Sequence, residues 1–201
     1  KGSVVGNRFI TNSDVRKIVF TGSTEVGKQI MRGAADQVKR VTLELGGKSA
    51  NIVFADADVE KAAAAAPSSV FENAGQDCCA RSRILVQKSA LDKFMAGLEV
   101  SVKNYKVGDP NDESTEMGPL VSKSHFDSVS GYLDGANVAF RGSAPTGPGY
   151  WFAPTVVLAN GLNDRCMTDE IFGPVVTVHA FEDEAEAIEI ANATEFGLSG
   201  S

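Results

Sequence analysis

The 201-residue chain carries 19 Lys and Arg against 26 Asp and Glu, a formal charge of −7, and is 43% hydrophobic and 22% charged. Such a composition belongs to an ordinary globular chain with enough residues to bury a sizeable core. The acidic balance argues against a nucleic-acid partner, whose phosphates it would repel, and no apolar run reaches the ~20 residues that cross a bilayer.

The first strand signal is "VRKIVF" (15–20), apolar and β-branched. "STEVGKQIMRGAADQ" (23–37) follows with helical spacing at Val26, Ile30 and Ala34. "VKRVTLEL" (38–45) is strand-like again and ends at Gly46-Gly47, and "SANIVF" (49–54) is a further short strand. "DADVEKAAAAA" then opens a helix with Asp58 as N-cap, and Pro67 should kink or interrupt it. "RILVQ" (83–87) reads as a strand and "ALDKFMAGLEVSVKNY" (90–105) as a helix. Ser122 caps "KSHFDSVSGYLDGA", while "NVAFRG" and "FAPTVVLA" read as strands around a Gly/Pro-rich surface loop (142–151). "PVVTVHAF" (174–181) is a strand feeding the acidic helix "EDEAEAIEIANAT". The alternation predicts α/β architecture with mostly parallel strands.

Three cysteines, Cys78, Cys79 and Cys166, do not make a disulfide framework. They fit a reducing, cytoplasmic setting. With two histidines in all, a Cys/His zinc site of the usual spacing is not expected.

Four segments carry chemistry. "FTGSTEVGKQ" (20–29) comes close to the triphosphate loop G-x-x-x-x-G-K-[ST], but Gln29 stands where the magnesium-binding hydroxyl belongs. What remains is a strand-to-helix turn flanked by Gly22 and Gly27. It is either a tight turn or a place where helix-start N–H groups hold an anion. "LELGGK" (43–48) puts Glu44 at the end of an apolar strand, where apolar surroundings would raise its pKa and suit it to general-base work. A solvated strand-end glutamate is the plainer reading. "FENAGQDCCARSR" (71–83) places two cysteines in a polar loop, with Arg81 and Arg83 as sources of the positive potential a reactive thiolate needs. "EIFGPV" (170–175) sets Glu170 and Phe172 just before a buried strand.

Together and in this order, "FTGSTEVGK", "RVTLELGGKSANIVFADAD", "F-x-N-x-G-Q-x-C" (71–78), "EMGPLVS" (116–122), "PTV" (154–156) and "DEIFGPV" (169–175) form a pattern that resembles the aldehyde dehydrogenase superfamily along essentially the whole chain. The resemblance implies a fold: residues 1–46 as the trailing part of a Rossmann-like NAD(P)-binding domain, and 47–201 as an α/β catalytic domain cut at its C-terminal end. It also implies roles. Cys78 matches the family's nucleophile and Glu44 its general base. Gly22, Ser23, Gly27 and Leu45 fall in the dinucleotide contact, Glu170 matches the residue holding the nicotinamide ribose, and Phe172 the aromatic beside the ring. Cys79 is a neighbour without a required role, and Cys166 is expected in the core. The implied cofactor is NAD or NADP, the substrate a small aldehyde, and the whole protein a homo-oligomer. A CoA-acylating dehydrogenase and a non-catalytic relative stay open beside the hydrolytic reading. His125, on its capped helix, is expected to be solvated, and His179 to be structural.

Overall fold

A computed structural model describes residues 1–201, which fold as two compact units, Lys1–Gly46 and Gly47–Ser201. The first unit is a helix followed by a β-α-β crossover: α1 (Gly2–Thr11), β1 (Lys17–Thr21), α2 (Thr24–Ala35) and β2 (Arg40–Glu44). β1 and β2 are parallel, with Thr21 opposite Glu44. Ser23 caps α2 by accepting the Val26 N–H at 3.4 Å. The buried stripe of α2 is Gly27, Ile30 and Ala34. Val26, expected on that stripe, is exposed because Gly27, not Val26, faces Leu45: a Cβ on Gly27 would lie 2.6 Å from Leu45 Cδ2. α1 is not among the elements expected from the sequence: none of its residues is buried, although Val5 and Phe9 share one face at i, i+4 spacing. It is tied down by Lys39, whose Nζ donates to the carbonyl oxygens of Phe9, at 3.0 Å, and Asn12.

The second unit is built on a five-stranded sheet of β3 (Ala50–Val53), β4 (Arg83–Gln87), β5 (Val138–Arg141), β6 (Thr155–Leu158) and β7 (Val175–Phe181), in the order β3-β4-β7-β6-β5. All neighbours are parallel except edge strand β5. Both faces of the sheet are covered. Along β4, Ile84 and Val86 enter one apolar cluster and Leu85 the other, as a period-2 strand between two layers must.

α3 (Val59–Phe71) and α4 (Leu91–Asn104) cover the larger cluster. Asp58 caps α3 through the Lys61 N–H at 3.1 Å. Ala63, Ala66, Pro67, Val70 and Phe71 give it one buried face at helical spacing. The helix runs on through Pro67 to Phe71, so the expected interruption is absent. Pro67 removes one bond near the helix end, and burial of that face outweighs its loss. α4 buries Phe94, Leu98 and Val102, and Gly97 lets it approach α3, a Cβ there lying 3.0 Å from that of Ala63. α5 (Lys123–Gly131) starts at Ser122, which accepts the His125 N–H, and α6 (Arg165–Thr168) and α7 (Glu184–Ala191) complete the unit. No helix is long and apolar enough to cross a membrane.

Candidate active site

In the first unit the turn after β1 is fixed by the Gly22 N–H, which donates to the Glu44 carbonyl at 3.0 Å. The turn therefore runs beside the end of β2. Gly22 has no room for a side chain while Phe20 keeps its place, because a Cβ would fall 2.5 Å from the ring. Gly22 and Ser23 are exposed at the start of α2. The cap satisfies Val26, and the Gly27 N–H donates to the Ser23 carbonyl. The N–H groups of Thr24 and Glu25 point out of the helix start, where its dipole favours an anion. The Glu44 side chain is exposed, so the apolar surroundings expected for it are not found in this unit.

In the second unit, Cys78 follows a turn in which Asn73, Ala74 and Gly75 all have left-handed backbones, at φ 52°, 57° and 68°. Gln76 locks that turn: its N–H and its Nε2 both donate to the Asn73 carbonyl, and its Oε1 accepts the Val121 N–H at 3.0 Å. The "EMGPLVS" block thereby holds the cysteine loop, a role that nothing in its own residues announced. Gly75 lies directly against the "EIFGPV" loop, where a Cβ would fall 2.2 Å from the Gly173 carbonyl oxygen. On the other side, a Cβ on Gly47 would fall 2.5 Å from the Cys78 carbonyl oxygen. The Gly47 N–H donates to Glu170 Oε1 at 3.0 Å. Two glycine contacts and one hydrogen bond thus bring Cys78, Glu170 and Phe172 into a single constellation.

Phe172 is 40% exposed and holds a left-handed backbone at φ 57°. His125 Nε2 donates to its carbonyl at 2.6 Å, and the two rings meet edge to face. His125 is therefore a brace for Phe172 and not the solvated residue expected. Sequence spacing gave no hint of it, because 47 residues separate the partners.

The electrostatics of the cysteine loop also differ from expectation. Burial pushes the Cys78 thiol up, and the neighbouring Cys79 thiol and the Asp77 charge push it the same way. Its own backbone N–H is the one contribution favouring the thiolate. Arg83 does not supply positive potential there. It is buried and spends its guanidinium on the carbonyls of Lys48, Ile190 and Ala191. Arg81 turns to the Cys79 carbonyl. Cys166 lies in the core, as expected. Lys48, passed over in the sequence, is 1% exposed, and its Nζ has no hydrogen-bond partner. Burial lowers its pKa to about 8, with Cys166, Asp169 and Glu170 pulling the other way and Arg83 adding to the fall.

The chain matches the model of the "Aldehyde dehydrogenase family" over residues 1–201. It is 45% identical to an aldehyde dehydrogenase of Emericella nidulans, covering 100% of this chain and 41% of that protein. It is 43% identical to a betaine aldehyde dehydrogenase of Bacillus subtilis, covering 100% of this chain and 43% of that one. The crystal structure of a betaine aldehyde dehydrogenase from Staphylococcus aureus in complex with NAD+ superposes with a TM-score of 0.94 at 44% identity, covering 100% of this chain and 41% of that one. The chain thus spans about two-fifths of the length of the relatives it matches. With a matching fold and agreement from end to end, the chain belongs to the aldehyde dehydrogenase family.

Proposed function

We propose that the protein containing this chain oxidises an aldehyde to a carboxylic acid with NAD or NADP as oxidant. The observation that carries this reading is the constellation in the second unit, where Gly47 and Gly75 hold the Cys78 loop against Glu170 and the Phe172 loop. In this reading Lys1–Gly46 is the trailing part of a Rossmann-like dinucleotide domain and Gly47–Ser201 carries the nucleophile. The start of α2 suits the cofactor. Outward N–H groups, the helix dipole and a side-chain-free Gly22 make an anion site of the kind a pyrophosphate uses. Gly22, Ser23, Gly27 and Leu45 would form that side of the cofactor site, Glu170 would hold the nicotinamide ribose, and Phe172 would pack beside the ring. When bound, the dinucleotide supplies the two-electron oxidation that no side chain can.

The chain's own residues do the rest. The Cys78 sulfur adds to the aldehyde carbon and gives a tetrahedral thiohemiacetal, whose oxyanion is met by the Cys78 N–H. Oxidation leaves an acyl group on the sulfur. Glu44 takes a proton from the water that hydrolyses this thioester. The reading includes a cytoplasmic setting, supported by three free thiols, and a homo-oligomer.

The test uses the full-length protein. Cys78→Ala should abolish turnover, and Cys79→Ala should keep most of it. Glu44→Gln should form NADH in a first turnover and then stall as an acyl-enzyme, losing ~10²–10⁴-fold in steady state. Stopped-flow absorbance with mass spectrometry of the trapped protein reads both events. Parental turnover by Glu44→Gln would remove Glu44 from the mechanism, and rescue of that variant by coenzyme A would favour the acylating reaction.

A further inference from the structure

The cysteine loop holds more ligand atoms than one nucleophile requires. A carboxylate oxygen of Asp77 and the sulfurs of Cys78 and Cys79 all lie within 4.8 Å of one another. The two sulfurs are 4.0 Å apart, and neither is in a disulfide. Zinc holds a thiolate sulfur at about 2.3 Å, so two sulfurs on one tetrahedral zinc stand about 3.8 Å apart. The observed separation needs only a few tenths of an ångström of closure. Asp77 adds a carboxylate, and its Oδ1 is already oriented by the Cys79 N–H at 3.0 Å, the kind of supporting bond that fixes metal ligands. Asp77 is exposed and both cysteines are partly exposed, so a cation reaches all three without unfolding the loop. Cys166 is kept apart, buried with its sulfur toward the Tyr132 carbonyl.

We propose that Asp77, Cys78 and Cys79 form a binding site for a thiophilic divalent cation of the zinc and cadmium class, and that its occupancy silences Cys78. The site follows from the geometry alone, whereas its consequence rests on Cys78 being the nucleophile. On binding, each thiol releases its proton to solvent and forms a metal–sulfur bond. The carboxylate gives a third bond, water fills the fourth position, and no electron changes hands. A sulfur bonded to the cation shares its negative charge with the metal, so its remaining lone pairs are far weaker nucleophiles and the cation stands in the way of the aldehyde carbon; substrate and cation therefore compete. Thiolate ligands select against magnesium and calcium, which prefer oxygen. This site escapes sequence rules because those rules look for spaced Cys and His ligands, and here the three ligands are consecutive.

The experiment titrates the full-length, metal-free protein with cadmium and follows sulfur-to-metal charge-transfer absorption in the ultraviolet. Zinc inhibition of aldehyde oxidation is measured in parallel. One cadmium per chain is expected. Cys79→Ser should abolish the absorption step, and Asp77→Asn should weaken binding by at least about tenfold. Both variants keep Cys78 and each removes a group that holds its thiol up, so both should oxidise aldehyde in chelator at the parental rate or faster and resist zinc that stops the parent. Absence of cadmium absorption in the parent would overturn the proposal, as would zinc inhibition unchanged in Cys79→Ser. These outcomes are separable from failure of the dehydrogenase reading. The absorption reports the site even in a protein with no turnover, and an active protein lacking the absorption would refute the site alone.

Discussion

Gly75→Ala tests the contact that organises the second unit. The left-handed backbone at Gly75 (φ 68°) costs an alanine about 1–2 kcal/mol. Its Cβ would lie 2.2 Å from the Gly173 oxygen, 2.4 Å from the Gly173 carbon and 2.9 Å from the Pro174 nitrogen. All three are backbone atoms, so no side chain can swing aside, and one loop must move. Overpacking of that kind costs about 1–3 kcal/mol. Alanine also narrows the unfolded ensemble, which returns about 0.4–1 kcal/mol. The net loss is therefore about 1–5 kcal/mol, or a melting point lower by about 2–20 °C for a chain of this length. The single tryptophan, Trp151, belongs to this unit and reports its unfolding in urea. Gly131→Ala is the control. It ends α5 with nothing within 4 Å of a new Cβ, so it should leave stability unchanged or raise it by up to about 1 kcal/mol. A Gly75→Ala chain that unfolds at the parental urea midpoint would show that the two loops are not held against one another.

Lys48→Met should stabilise the chain at pH 7 by up to about 3 kcal/mol, because a buried lysine with a pKa near 8 in place of 10.5 is charged at a cost. The unfolded lysine binds the extra proton between pH 8 and 10.5, so parental stability gains with pH in that window and the variant's advantage shrinks there. A urea-unfolding series across that range in which the advantage stays constant would refute the assignment. Val38→Gly should stabilise the first unit by up to about 1.5 kcal/mol, since Val38 takes φ 52° after α2 while 89% exposed; glycine relieves about 1–2 kcal/mol of left-handed strain and its freer unfolded chain takes back about 0.4–1 kcal/mol. Hydrogen-exchange protection of β1 and β2 would report the gain, and lower protection would contradict it. His125→Ala removes the donor to the Phe172 carbonyl and should cost about 0.5–1.5 kcal/mol. On the proposed dehydrogenase reading, His125→Ala in the full-length protein should raise the KM for the dinucleotide more than it changes kcat, and an unchanged KM would end the role of His125 as a brace.

The strands and most helices were legible in the sequence because their signals are local. A β-branched run such as "RILVQ", a cap such as Asp58 or Ser122, and the buried stripe of α3 are each written within a dozen residues. The family was legible for a different reason: six ordered blocks agree at once, and no single residue has to carry the identification. Tertiary structure decided what depends on residues far apart in the chain. Gly75 looks like any loop glycine until Gly173 is packed on it, and Gly47 like a simple linker until Cys78 lies against it. Arg83 was read as a charge near the thiol, but burial turned its guanidinium to three carbonyls. His125 became a brace only once α5 met the loop at Phe172. Sequence offers candidates for the chemistry through residue type, local spacing and the family pattern. Whether a charge is solvated, buried or spent on a carbonyl is set by long-range packing, because desolvation depends on everything that surrounds the group and not on its neighbours in the chain.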